Sequence, residues 1–265
     1  MKLIKYNKYY FLQISILIML VKLVFSCVQN QSFSGKVVLD ENGAVILKDT
    51  TKKVIHLVFT GHDFAEGFPV IKEVLDSHEI KSSFFFTGVF YRNPEYELLI
   101  KALVNDGHYL GAHSDKHLLY CSWEKRDSLL IDQFTFMEDL MQNYEEMKKF
   151  GIEKKDALWF MPPYEWYNKI IAKWTEEMGL ILVNFSPGTR SNADYTYPEM
   201  GNRYVSSKTI TESILQHEEK YSMNGFILLI HIGTDPRRTD KYYFHLDNLI
   251  MKLKDKGYVF RRIDK

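Results

Sequence analysis

Apolar and polar positions alternate along the chain in two rhythms. Val54 to Phe59 is a nearly continuous apolar run, as in a parallel strand buried on both faces, and it ends in Thr60-Gly61-His62-Asp63. Apolar residues then recur at Val70, Ile71, Val74 and Leu75, the spacing of one helix face. The unit repeats. Ser83-Phe84-Phe85-Phe86 predicts a strand, 94–104 a helix and 108–112 the next strand. A long helix over 126–150 precedes a strand over 157–161, which runs into Pro162-Pro163-Tyr164. The pattern continues with a helix over 167–178 closed by Gly179, a strand over 180–183 and a polar loop over 186–202. A helix over 210–221, a strand over 226–232, a helix over 242–254 and a strand over 258–263 complete it. Such alternation predicts an α/β fold on a parallel sheet, open or closed. Ahead of it, 36–47 predicts a short β-hairpin, with Asp40-Glu41-Asn42-Gly43 as its turn between Val37-Val38-Leu39 and Ala44-Val45-Ile46-Leu47.

The first residues follow another pattern. Lys2, Lys5 and Lys8 precede a short apolar run from Tyr9 to Val21, and Ser26 stands just before Cys27. A basic segment followed by a short apolar one predicts a signal peptide rather than a membrane span. A small residue before cysteine resembles the lipobox of bacterial lipoproteins. The expected organisation is a signal peptide over 1–26, Cys27 as the lipidated residue, a tether over 27–35 and one domain over 36–265. The expected location is the cell envelope, exported and lipid-anchored to a bacterial membrane; plain secretion and an uncleaved anchor are the other readings. With Cys27 lipidated, Cys121 stands alone and offers no disulfide framework.

Composition narrows the function little. The 265 residues carry a net charge of +0 and are 46% hydrophobic, which suits a globular domain and gives no electrostatic case for a nucleic-acid partner. Aromatic residues at 15% suit a sugar cleft and a large core equally.

The polar chemistry falls where strands end: Asp63, His113, Pro163 and His231. In α/β folds that edge is where sites form. His113 and His117 stand four residues apart, a spacing that lets both rings face one point in a helical turn. His56, His78, His108, His217 and His245 have no partner at useful spacing and read as structural or surface residues. Asp63 beside such histidines would make a mixed nitrogen and oxygen donor set, suited to zinc and other divalent metals. Three protein ligands with an open position would activate a water at neutral pH. There is no Gly-x-Ser-x-Gly elbow and no Gly-x-Gly-x-x-Gly or Walker-type loop, which argues against a serine esterase and against nucleotide binding. Among the aromatic residues nearby, Trp159 reads as core, while Trp123 and Trp166 read equally as core or as sugar-stacking surfaces.

Together these residues resemble the polysaccharide deacetylases, the NodB-homology fold of carbohydrate esterase family four, over about 54–263. Ser83 to Gly88 and Gly107 to His117 look like the family's strand, helix and His-Ser/Thr-x-x-His run, whose histidines bind the metal. Leu229-Ile230-His231 resembles the late Leu-x-His, whose histidine is the general acid. Met161-Pro162-Pro163-Tyr164 resembles Arg-x-Pro-Tyr except at its first position, and Asp194-Tyr195 loosely resembles the Asp-Trp of the fourth motif. The resemblance implies a distorted (β/α) barrel of about seven units. Its first motif, Thr-Phe-Asp-Asp-Gly, holds the base and a metal ligand. The register Thr60-Gly61-His62-Asp63-Phe64 puts His62 at the base position and Asp63 at the ligand position; a register shifted by two leaves neither Asp with a counterpart. The arginine that orients the base is absent as well, with Met161 in its place, and Glu165 is positioned to take over part of that role.

The resemblance implies a metal-dependent hydrolase that removes N- or O-linked acetyl groups from an extracytoplasmic polysaccharide or peptidoglycan. Asp63, His113 and His117 would hold the metal, most naturally Zn2+. His62 would be the base or a fourth ligand, His231 the general acid, and the backbone N–H of Tyr164 an oxyanion donor. Trp166, Glu165 and Asp194 would contact the glycan. A second reading follows from the altered motifs: a surface lipoprotein that binds glycan without turnover. A barrel glycosidase, which needs a carboxylate pair, fits the histidine-bearing strand ends less well.

Overall fold

The computed structural model describes residues 37–265. The predicted signal peptide over 1–26, Cys27 and the whole tether over 27–35 therefore lie outside the described residues, as does Lys36. No helix among the described residues is long and apolar enough to cross a membrane.

The hairpin forms as expected. β1 (Val38–Leu39) pairs antiparallel with β2 (Val45–Leu47). Asp40 shapes the turn, its carboxylate accepting from the backbone N–H groups of Asn42 and Ala44, and Gly43 takes φ 97°, a conformation that favours glycine. The strands that follow are β3 (Val54–Gly61), β4 (Ser83–Phe86), β5 (Tyr109–Ala112), β6 (Trp159–Phe160), β7 (Ile181–Leu182), β8 (Phe226–His231) and β9 (Val259–Phe260). The helices between them are α1 (Phe68–Ser77), α2 (Gly88–Arg92), α3 (Glu97–Asn105), α4 (Gln133–Lys148), α5 (Lys169–Glu177), α6 (Ser207–Tyr221) and α7 (Leu246–Asp255).

One sheet takes the order β1-β2-β8-β3-β4-β5-β6-β7, with β9 pairing to β3. All pairings from β8 through β7 are parallel, and β2 joins β8 antiparallel. Just past β7, Val183 bridges back to Val45 of β2, and the Asn184 N–H donates to the Val45 carbonyl at 3.0 Å. The sheet thus curls until its ends meet, the barrel-like form the sequence resemblance implied. Its inside is filled by a small cluster that includes Val58, Phe85, Trp159, Met161 and Leu229. A larger core, with Phe59, Phe84, Phe86 and Ile230, lies between the sheet and the helices. All eight residues of β3 are buried, which is why its sequence reads as a continuous apolar run.

Helix starts differ from the periodic pattern where a capping side chain decides them. The expected long helix over 126–150 begins only at Gln133, because Asp132 caps it by accepting from the Thr135 N–H at 2.8 Å. The segment before it is irregular, with Cys121 bridged to Leu129. Asn168 and Ser206 likewise start α5 and α6. The polar loop over 186–202 contains two 3-10 turns, Ser191–Tyr195 and Pro198–Arg203.

Candidate active site

The ends of β3, β5 and β8 and the turn after β6 open onto one cavity of about 600 Å³. His62, Asp63, His113, His117, Glu165 and His231 all line it.

One wall is the loop that follows β5. The His113 backbone N–H donates to Asn143 Oδ1 at 2.8 Å, and its ring Nδ1 lies 2.8 Å from the Met161 carbonyl. A carbonyl only accepts, so Nδ1 carries the proton and Nε2 keeps its lone pair. His117 stacks on His62 with ring centroids 4.6 Å apart, lies 5.1 Å from His113 and meets Tyr164 at 4.3 Å. Burial drives the His113 pKa down to about 3 and the His117 pKa down to about 2, so both rings are neutral. His62 is half-buried; burial lowers its pKa against the opposing charge of Asp63. Its Nδ1 lies 3.0 Å from Thr87 Oγ1, the same hydroxyl that caps α2 by accepting from the Phe90 N–H.

Helix α4 braces this loop. Asp139 accepts from Ser114 Oγ at 2.6 Å and from the N–H groups of Asp115 and Lys116 at 3.1 Å each. One turn later, Asn143 holds the His113 N–H and donates to the Phe86 carbonyl. Arg92 of α2 closes the far side with a two-pronged ion pair to buried Asp115, at 2.5 and 3.1 Å. That approach needs Gly88, where a Cβ would fall 1.7 Å from Asp115 Oδ1.

The opposite wall is His231 at the end of β8, against the turn Pro163–Glu165. Fully buried Asp194 grips His231 twice. Its Oδ2 accepts the backbone N–H at 2.9 Å and its Oδ1 accepts from ring Nδ1 at 2.6 Å. Burial works against the charged imidazole, but the charges of Asp194 and Glu165 outweigh it, and the His231 pKa is raised. Glu165 shows the reverse. Burial lifts its carboxyl to about 7, against the pull of His231 and with a smaller push from Asp194.

Backbone strain gathers here. Among the described residues six non-glycine residues have positive φ, and four of them belong to this site: Ser114, His117, Tyr164 and Glu165. Each such conformation costs about 1–2 kcal/mol in an L-residue. Three of the four line the cavity and the fourth, Ser114, adjoins His113, so packing and hydrogen bonds hold the site against local preference.

The donor chemistry suits a divalent metal in part. His113 and His117 are neutral imidazoles on one wall, and His113 has its second nitrogen fixed on a carbonyl, the usual support for a metal-binding histidine. Asp63 stands apart: its side chain is 63% exposed, with Oδ1 3.5 Å from His62 Nε2. Among the described residues, no three His, Cys, Asp or Glu side chains converge on one cation position.

With this geometry in hand, comparison with known proteins is decisive for the family. A sequence profile described as polysaccharide deacetylase matches residues 47–183. The chain belongs to the polysaccharide deacetylase family. It is 27% identical over 229 residues to the peptidoglycan-N-acetylmuramic acid deacetylase PdaA of Bacillus subtilis, covering 85% of this chain and 76% of that one. It is 26% identical over 212 residues to a peptidoglycan-N-acetylglucosamine deacetylase of Bacillus cereus, covering 79% and 85%. The solved structure of PdaA, a family 4 carbohydrate esterase, superposes with a TM-score of 0.65 at 26% identity, covering 84% of each chain. A family 4 pseudoenzyme from Bacillus anthracis shares the fold at the same TM-score, with 19% identity over 85% of this chain and 69% of that one.

The structure sorts the residues singled out from the sequence. His62, Asp63, His113, His117, Tyr164, Glu165 and His231 all reach the cavity. Asp194, expected at the glycan, is instead buried behind His231. Trp166, also expected there, is not on the cavity wall. It is packed under Arg126, whose guanidinium lies 4.1 Å from the ring, with its Nε1–H on the Ser122 carbonyl. Trp123 stacks on Trp166 and does line the cavity, 56% exposed. Trp159 is core, as expected. Sequence reasoning missed Asp139, Asn143 and Arg92. The signal for the first two was available: two polar residues one turn apart on the buried face of α4.

Proposed function

We propose that this protein is a metal-dependent hydrolase that removes N- or O-linked acetyl groups from an extracytoplasmic glycan, with peptidoglycan the first substrate to test. The observation that carries the reading is the pairing of two neutral histidines, His113 and His117, with a buried Asp194–His231 couple across one cavity. The peptidoglycan deacetylases among its relatives support the substrate class.

His113, His117 and Asp63 would hold the metal, Zn2+ by the preference of such a donor set. When bound, such a metal polarises an acyl carbonyl and lowers the pKa of a water to about 7. His62 stands beside them as proton acceptor or further nitrogen donor. His231, kept protonated by Asp194, presents Nε2 to the cavity and donates to the leaving nitrogen or oxygen. The Tyr164 backbone N–H is the proposed oxyanion donor. Trp123 and Tyr195 on the cavity rim would contact the sugar. Export through the signal over 1–26, with anchoring through Cys27, would bring the domain to that substrate.

The test is to measure bound metal and acetate release from acetylated peptidoglycan, before and after chelation. Bound metal with chelator-sensitive acetate release is the expected result. A second reading, a glycan-binding lipoprotein without turnover, is favoured by one observation: the Asp63 carboxylate sits in solvent instead of beside His113 and His117. Glycan binding with no acetate released would select it.

A further inference from the structure

Deacetylation needs a group to take the proton of the attacking water. The end of β3 offers Thr60 and Gly61, then His62 and Asp63. The two ring nitrogens of His62 already face Thr87 Oγ1 and Asp63 Oδ1. Three carboxylates line the cavity: Asp63, Asp235 and Glu165. Asp63 is 63% exposed, with Oδ1 3.5 Å from His62 Nε2, and is the proposed metal ligand. Asp235 is gripped by Arg237 through both of its oxygens, at 2.9 and 2.5 Å, which holds its pKa low.

Glu165 differs from both. No hydrogen bond from any described residue reaches its carboxyl, and the charges it feels are His231 and Asp194. It sits half-buried on a turn in which Tyr164 and Glu165 both take left-handed backbone angles, φ 59° and 52°. An L-residue is rarely held so without a reason, and two in succession are rarer. The turn is anchored on both sides. The Glu165 N–H donates to the Pro162 carbonyl, and the Glu165 carbonyl accepts from Asn184 Nδ2. The strained turn thus sets a carboxyl without a hydrogen-bonding partner among the described residues on the wall of the cavity that the Asp194-oriented imidazole also lines.

Resting on the deacetylase reading above, we propose that Glu165 is the proton acceptor of this site, working as a pair with His231. The Glu165 carboxylate removes a proton from water as the water oxygen bonds to the acetyl carbon. The C–N or C–O bond then breaks, and its electron pair takes the proton that His231 gives from Nε2. Acetate and a free amine or hydroxyl leave. Glu165 loses its proton to solvent and His231 regains one, so the pair returns to its starting state. Two ionisable groups whose environments push their proton affinities in useful directions are the pattern of an acid–base pair. A carboxyl at about 7 matches a base working near neutrality. His62 is then left to serve the metal.

The experiment compares wild type, E165Q and E165G for acetate release from acetylated peptidoglycan, with metal content and Tm measured on each. E165Q keeps the shape and removes the base. E165G accepts the left-handed angle without strain. The expected result is a loss of about 10²- to 10⁴-fold in kcat for both, with metal content unchanged and Tm unchanged or raised. Added formate should partly restore E165G, and the acid limb of the wild-type kcat profile near pH 7 should be absent from both variants. E165Q turning over within threefold of wild type, with the same pH profile, overturns the role of Glu165 and leaves the deacetylase reading standing. Metal-loaded wild type that releases no acetate overturns both.

Discussion

The two walls of the cavity use the same side chain in opposite states. On one, His113 and His117 are pressed by burial into neutral imidazoles, with no carboxylate among the described residues hydrogen-bonded to either ring. On the other, His231 is half-buried, and Asp194 accepts a hydrogen bond from its Nδ1–H at 2.6 Å and favours the cation. A carbonyl behind a histidine fixes its tautomer without adding a full charge; a carboxylate fixes it and adds one. The first arrangement makes a lone-pair donor, the second a proton donor. The partner behind each ring, more than the ring, assigns its task.

The sharpest way to break the contrast is to remove one member of each wall. His113→Ala should abolish metal binding and bring turnover to background, a loss beyond about 10⁴-fold, because it removes the best-fixed nitrogen of the donor pair. Metal analysis and acetate assay on the same preparation check it; full activity in a metal-free variant would sink the hydrolytic reading. Asp194→Asn should do the reverse. It leaves the donor wall intact and removes the charge that keeps His231 protonated, so kcat should fall by about 10²- to 10⁴-fold with metal content near wild type. Loss of metal in the Asp194 variant would show that the two walls are not separable.

What could be read from the sequence follows the same division. The histidine pair, His231 and the repeating strand–helix units were legible because each is local: a spacing of four, a strand end, an apolar period. The β-hairpin was legible from Asn42-Gly43 alone. The supports were not, because they come from far away in the chain. Asp194 meets His231 across 37 residues, and Asn143 meets His113 across 30. Asp194 could be placed near the site by motif, and Trp166 by its place among nearby aromatic residues, but neither on the right side of it, since position along the chain does not give the direction of a side chain. Start positions of α4 and α5 were missed because a single cap, Asp132 or Asn168, outweighs apolar period at a helix end.

A smaller effect tests whether the donor wall is braced from behind. Asn143→Ala removes the acceptor of the buried His113 N–H and leaves that group unsatisfied. The expected cost is about 1–3 kcal/mol of stability and about 10- to 100-fold in metal affinity, read by denaturant titration and metal competition. His231 should still be raised in pKa, because the other wall is untouched. Unchanged metal affinity would mean that the loop holds His113 without α4.

The smallest effect separates burial from function. His56 and His108 are buried and neutral like His113, both lowered to about 4 chiefly by burial, yet they lie outside the cavity. His108 Nδ1 accepts the Ser82 N–H at 3.1 Å, so protonation there also breaks a hydrogen bond. Its folded pKa lies below the model-peptide value of about 6.5, so between those two values the unfolded chain binds the extra proton and the folded chain does not. Stability from this residue is therefore present above about pH 6.5 and lost as pH falls toward 4, with a slope of up to about 1.4 kcal/mol per pH unit. His108→Gln, which keeps an acceptor for Ser82 but does not titrate, should flatten the acid side of the stability profile by that amount and leave metal binding alone. An unchanged slope would place the acid sensitivity of the fold elsewhere. A variant that flattened the slope and also lost metal would deny that burial at one end of the sheet and donor chemistry at the other are independent.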